Sequence, residues 1–335
     1  MSRLTGLVRF VRAPHVRARA LAVADSRAAV RAAFLASAEQ LGLVDALAGA
    51  RLDLDGVARV LGVPPGPQLA AWLRVGVELG ELRARGGLYR LHGARSCALA
   101  AGDEVLRAHY RSFLEYQMPT YGQLGELLAG RRRSDLSAYA ATIAEVSRAA
   151  EPFVATWLER VLRTERPARL LDVGCGTGVY LEAAARAVPG LRALGVDREA
   201  AVVDGARARL AAAGLSDRVE VRCDDARDLD VDVQFDAVTL LNGIYYFPPA
   251  DRPHLLRSLG AALRPGGLLV VATMVVPGSI AAAHLDLMLR VQDGEAALPT
   301  RKGLHRDLKA AGYRKIRIRP LVPTEPFLGF VARRD

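Results

Sequence analysis

Residues 170–180 read Leu-Leu-Asp-Val-Gly-Cys-Gly-Thr-Gly-Val-Tyr, with glycines at 174, 176 and 178 directly after a buried-strand pattern and before a helical one. Backbone without side chains can approach a ligand closely, and N–H groups at a helix start can receive polar or anionic groups. Asp172 lies in the same segment and joins these glycines as a ligand-binding candidate. Asp197 ends the next predicted strand, where a carboxylate can accept both ribose hydroxyls of an adenosine. Asp224, Asp225 and Ala226 end the third, where a carboxylate can take the adenine amino group. Leu241-Asn242-Gly243 ends the fourth, which puts Asn242 beside the reactive part of such a ligand. Open α/β sheets bind ligands at the C-terminal ends of their strands, and all four loops lie there.

The elements that position these loops follow from periodicity. From Ala168 onward, short apolar runs alternate with helical segments, the pattern of βα units on a parallel sheet. Strands are expected at 169–173, 192–196, 219–223, 235–241, 267–274, 314–319 and 327–332. The last two leave no room for a crossover helix and should form a hairpin, giving a mostly parallel seven-stranded α/β sheet with an antiparallel last strand.

Upstream, Val30, Phe34, Leu35, Leu41, Val44 and Leu47 recur at helical spacing over 28–47. Asp53 or Asp55 makes an N-cap before Val57, and a second helix is expected from Gln68 to Leu79. Gly86-Gly87 marks a β-hairpin over 82–91. Helix, turn, helix, hairpin is a winged-helix arrangement. The expected organisation is a basic tail over 1–25, a winged-helix-like, mainly helical domain over 26–95, a helical linker over 96–163, and a ligand-binding domain over 164–335. The linker holds Tyr110, Phe113, Tyr116, Tyr121, Tyr139, Phe153 and Trp157, aromatics read chiefly as core that can also cover a pocket.

The chain has 335 residues, 51% of them hydrophobic and 24% charged, and can bury the cores of two domains. No apolar run reaches the roughly 18 to 20 residues of a membrane span, so no membrane partner is expected. Cys97, Cys175 and Cys223 are too few and too dispersed for a disulfide framework or zinc site, and no His/Asp/Glu cluster has metal-ligand spacing, so no metal is expected and the cytoplasm is the simplest location. Cys175 and Cys223 read as small buried side chains beside the sheet rather than nucleophiles. The net charge of +10 comes almost wholly from arginines spread along the chain, since Lys302, Lys309 and Lys315 are its lysines. Solvated arginine faces explain that distribution better than a nucleic-acid partner does.

The segments "LLDVGCGTG", "GVD", "DDA" and "LRPGGLLVV", in this order, resemble those of the class I S-adenosylmethionine-dependent methyltransferases over about 167–335. With the upstream portion, the whole chain resembles the small-molecule O-methyltransferases whose N-terminal winged-helix domain serves dimerisation. The resemblance implies S-adenosylmethionine as cofactor, a small-molecule acceptor, a homodimer, and a linker covering the substrate pocket; the arginine bias adds a bacterial secondary-metabolism setting. Members of that family often carry a His-Asp-Trp triplet after strand four, its histidine acting as base. This chain has Tyr245-Tyr246-Phe247 there. A phenol with a pKa of about 10 is a poor base near neutrality, so methylation of nitrogen or of a stabilised carbanion rivals methylation of oxygen. Tyr245, Tyr246 and His284 are the catalytic candidates. The alternatives are a cofactor-binding protein with lost or altered chemistry and a winged-helix DNA-binding regulator. The regulator reading is weakened because Arg74 is the one basic residue between Gln68 and Leu79.

Overall fold

The computed structural model describes residues 11, 14–135, 137–225 and 234–335. Their contacts form two units, one of Met1–Leu124 with Leu136–Ala149, the other of Gly125–Asp135 with Ala150–Asp335, as far as these are described.

The first unit is mainly helical. The helix Val16–Gln40 starts earlier than the periodicity suggests, and Gly42 at φ +79° follows its end. Leu43 and Val44 then enter the core from a separate short helix, Leu43–Ala46. That break leaves Leu41 exposed, and Val30 is exposed too, although both belong to the apolar set at helical spacing. Asp53 caps the helix Leu54–Leu61 by accepting from the Gly56 N–H at 2.8 Å. The next helix, Pro67–Glu78, has proline in its first turn, where no amide partner is lost. Strands β1 (Leu82–Arg85) and β2 (Leu88–Leu91) pair antiparallel around Gly86 and Gly87, whose φ values of +59° and +79° suit a tight hairpin turn. Phe34, Leu35, Leu43, Val57, Leu73 and Leu99 form this unit's core. Of the aromatics expected in cores, Tyr116 is buried but Tyr121 and Phe153 are exposed.

The second unit is built on β3 (Arg169–Val173), β4 (Arg192–Asp197), β5 (Val219–Cys223), β6 (Phe235–Leu241), β7 (Leu263–Met274), β8 (Tyr313–Pro320) and β9 (Phe327–Arg334). The sheet order is β5-β4-β3-β6-β7-β9-β8. The strands β5 to β7 pair parallel, while β9 runs antiparallel to both β7 and β8, so the last strand of the chain lies inside the sheet and β8 forms its edge. β7 begins at Leu263, earlier than expected, because Leu263 pairs with Phe235 before an irregularity in the ladder.

Successive side chains of a strand face opposite sides of the sheet. Leu170, Ala237, Val270 and Val331 accordingly enter one core, while Leu171, Val238, Leu269 and Phe330 enter the other. Burial on both faces is why these strands read as continuous apolar runs. Each fully buried leucine or valine contributes about 1.5–3 kcal/mol relative to exposure, which holds the strand ends in fixed register.

Candidate functional site

From β3 the chain adds β4 and β5 on one side, then returns to pair β6 with the other edge of β3. The C-terminal ends of β3 and β6 therefore flank the topological switch point, where open α/β sheets take ligands. Asp172, Gly174, Gly176, Gly178, Asp197, Asp224, Asp225 and Asn242 all lie in or beside loops at this end of the sheet. Ala226 lies outside the described residues.

Gly174 and Gly176 have φ values of +67° and +54°, a region that strains L residues. A Cβ at either would meet nothing within 4 Å, so the backbone borders open space. Gly178, at φ +76°, is a packing glycine instead, because its Cβ would lie 3.3 Å from Ala206 Cβ. Several loop N–H groups expected to face a ligand are used within the protein. Gly174 and Cys175 both donate to Val196 O, and Gly178 donates to Cys175 O. Gly176 donates to Asp197 Oδ2 at 3.0 Å. The loop's conformation consumes these donors, so what it offers is shape.

Asp197 links the loops. Besides Gly176, it accepts from the Glu199 N–H through Oδ1 at 3.1 Å, and its carbonyl accepts from the Asp224 N–H at 3.0 Å. A carboxylate has about four lone-pair sites, so acceptor capacity remains for ribose hydroxyls. Asp224 Oδ1 accepts from the Asp225 N–H at 2.9 Å, shaping the half-buried turn after β5.

Asp172 is 2% exposed and lies opposite Thr239 in the β3–β6 register. The Thr239 hydroxyl donates to Asp172 Oδ1 at 2.6 Å, leaving Oδ2 buried without a partner. Burial pushes the carboxyl up to about 7, opposed by the Thr239 hydrogen bond and reinforced by the Asp197 charge. Thr239 was missed in the sequence; its signal was a lone hydroxyl within the apolar run of β6. Tyr180, in the helix that follows the glycines, has a hydroxyl that is also buried and unpartnered.

After β6, Asn242 takes φ +56° and donates its N–H to Ala272 O, which turns the chain into Ile244–Tyr246. Tyr245 is buried, and its ring centroid is 4.7 Å from that of the exposed Tyr246. Burial, followed by the influence of Tyr246, raises the Tyr245 phenol well above its usual range. Tyr245 packs with Ala282, Leu289 and Leu298, two of them on the helix Ile280–Arg290 that carries His284. His284 is half-buried, and burial lowers its pKa, favouring neutral imidazole. Arg252, which the sequence reading did not single out, is buried and donates to Phe247 O and Ala297 O, tying this loop down.

Burial, then the charges of Asp172 and Asp197, raise the Cys175 thiol, which suits a packing residue rather than a nucleophile. Cys223 is exposed, against the expectation of burial, because it ends an outer strand. Among the described residues no group of three His, Cys, Asp or Glu side chains could hold a metal, and no helix is long and apolar enough to cross a membrane.

Residues 170–267 match the methyltransferase domain family. The methyltransferase GfsG of Streptomyces halstedii is 33% identical over 137 residues, 41% of this chain and 47% of that protein. The match spans about half or less of the curated relatives' length. Among solved structures, the mitomycin 7-O-methyltransferase MmcR superposes with a TM-score of 0.79 at 20% identity, over 95% of this chain and 99% of that one. The N,N-8-amino-8-demethyl-D-riboflavin dimethyltransferase RosA from Streptomyces davawensis gives 0.73 at 24%, over 96% and 100%. The second unit has the Rossmann-like fold of the class I methyltransferases, preceded by a helical region.

Proposed function

We propose, on the premise that this chain carries a methyltransferase domain of the S-adenosylmethionine-dependent class, that it methylates oxygen, nitrogen or carbon of a small secondary-metabolite acceptor. The reading is carried by the glycine loop, which borders open space and is joined through Asp197 to the turn at Asp224, next to a buried carboxyl with one unpartnered oxygen. These groups fit the cofactor. Asp197 would take the ribose hydroxyls, Asp224 and Asp225 would border the adenine, and Gly174 and Gly176 would make room. Gly178 would hold the loop on its helix, Asp172 would face the cationic amino-acid end, and Asn242 would sit beside the reacting centre.

When bound, the cofactor supplies an electrophilic methyl carbon on a positively charged sulfur. The chain's part is to hold an acceptor lone pair in line with that carbon and to exclude water. Tyr245, held protonated, serves as an apolar wall and hydrogen-bond donor, with Tyr246 completing the wall. Neutral His284 is the better-suited base for an acceptor hydroxyl. An acceptor whose nucleophile carries a free lone pair or is already an enolate needs no base, which favours amines and acidic carbons. The names of MmcR and RosA, one an O- and the other an N-methyltransferase, support a fold that serves either atom. With this reading go a homodimer formed through residues 26–95, a cofactor-binding domain over 164–335, and a cytoplasmic location.

Calorimetric titration with S-adenosylmethionine and S-adenosylhomocysteine tests the proposal. Wild type should bind both, and Asp197→Ala should bind at least about ten-fold more weakly, the value of a lost charge-assisted hydrogen bond. Incubation with amine, enol and phenol acceptors should yield a methylated product by mass spectrometry. Failure of wild type to bind either ligand would overturn the proposal, and binding without any product would point to altered chemistry. Sedimentation at two concentrations tests the dimer.

A further inference from the structure

Two buried polar atoms near the top of β3 lack partners, Asp172 Oδ2 and the Tyr180 hydroxyl. Tyr180 is the second residue of the helix Val179–Ala187, and its ring packs against the core that contains Val154, Leu158 and Leu241. Phenylalanine would fill the same space, so packing does not explain the hydroxyl. Nearly all buried polar groups find a partner, and leaving one unpaired costs about 1–3 kcal/mol. Both groups are buried, and the Asp172 charge reaches the Tyr180 hydroxyl, so the pair points to a ligand that bonds to both.

The surrounding charge says which kind. After burial, the Glu151 and then the Asp172 charge act on the Tyr180 hydroxyl, and Tyr180 in turn acts on Tyr245. Carboxylates beside this space repel an anion and attract a cation. Asp172 Oδ2 and the phenol oxygen can each accept a hydrogen bond, and an ammonium has three N–H donors to give. We propose that the Tyr180 hydroxyl and Asp172 Oδ2 together accept hydrogen bonds from the α-ammonium of the cofactor's amino-acid end, which makes Tyr180 a binding and specificity residue. This rests on the methyltransferase reading and refines it. It also accounts for a tyrosine whose buried hydroxyl finds no partner within the chain.

The test is calorimetry at pH 8 on wild type and Tyr180→Phe. Two ligands are used, S-adenosylhomocysteine and its analogue that keeps the carboxylate but lacks the amino group. Tyr180→Phe should weaken S-adenosylhomocysteine about ten-fold and change the deaminated analogue less than about two-fold. The ligand-free melting temperature of the variant should equal or exceed that of wild type, because an unpaired hydroxyl has been removed. Equal losses for the two ligands, or no loss for S-adenosylhomocysteine, would overturn the assignment. Failure of wild type to bind S-adenosylhomocysteine would instead overturn the methyltransferase reading itself.

Discussion

Thr239 donates its hydroxyl to Asp172 Oδ1 at 2.6 Å, side by side on adjacent parallel strands and both shut off from water. The bond partly offsets the burial that lifts the Asp172 carboxyl to about 7. Because the folded value lies above the ordinary 3.8, the native chain holds a proton that the unfolded chain releases between about pH 4 and 7. The group's contribution to stability is thus fully present below pH 4 and is lost as pH rises through 7, with a span of about 4 kcal/mol. Asp172→Asn should flatten the dependence of unfolding free energy on pH over this window by a similar amount, measured by urea denaturation. Thr239→Val should raise the carboxyl further, moving the pH at which cofactor affinity is half-maximal upward.

Gly195 lies in the middle of β4, where a Cβ would come within 2.5 Å of Leu181 Cδ1 and 3.0 Å of Cys175 Sγ. Its missing side chain lets the helix Val179–Ala187 press onto the strand and so sets the height of the glycine loop. Gly195→Ala should destabilise the fold by about 1–3 kcal/mol, the usual range for overpacking. Leu181→Ala alone removes a fully buried side chain. Gly195→Ala with Leu181→Ala should therefore be destabilised by less than the sum of the two single variants, and thermal unfolding of the three variants distinguishes this steric coupling from a general strand effect.

Arg252 carries a buried guanidinium whose donors hold Phe247 O and Ala297 O, while the Ala297 N–H donates to Tyr245 O. The loop bearing the tyrosine pair is thereby fastened to the segment 296–298. Arg252→Ala leaves two carbonyls unpaired and opens a void, a loss of about 2–4 kcal/mol. Hydrogen exchange should speed up at residues 243–251 and 296–298 while the glycine loop keeps its protection. Unchanged exchange in those segments would remove Arg252 from this role.

The strands of the second unit were readable because their pattern is local. Runs such as Leu170–Val173 and Val238–Leu241, apolar apart from Asp172 and Thr239 and bounded by turn residues, mark buried strands without reference to distant residues. The glycine loop and Asp197 were readable for the same reason, since backbone freedom and a carboxylate at a strand end belong to short stretches of chain. Boundaries shifted as well, as where Gly42 breaks the chain after the helix Val16–Gln40 and leaves Leu41 in solvent.

The pairings within the site belong to a different level. Thr239 and Asp172 are 67 positions apart and meet only because β6 settles beside β3 in one register. Arg252 finds Ala297 O 45 positions away, and the Gly174 N–H is spent on Val196 O rather than left for a ligand. Whether a hydroxyl such as that of Tyr180 has a partner, and whether a carboxyl such as Asp172 is ionised, depends on what packs around it. Periodicity records which face of an element is buried; hydrogen-bond pairing and dielectric surroundings come into being only when elements remote in the chain are brought together.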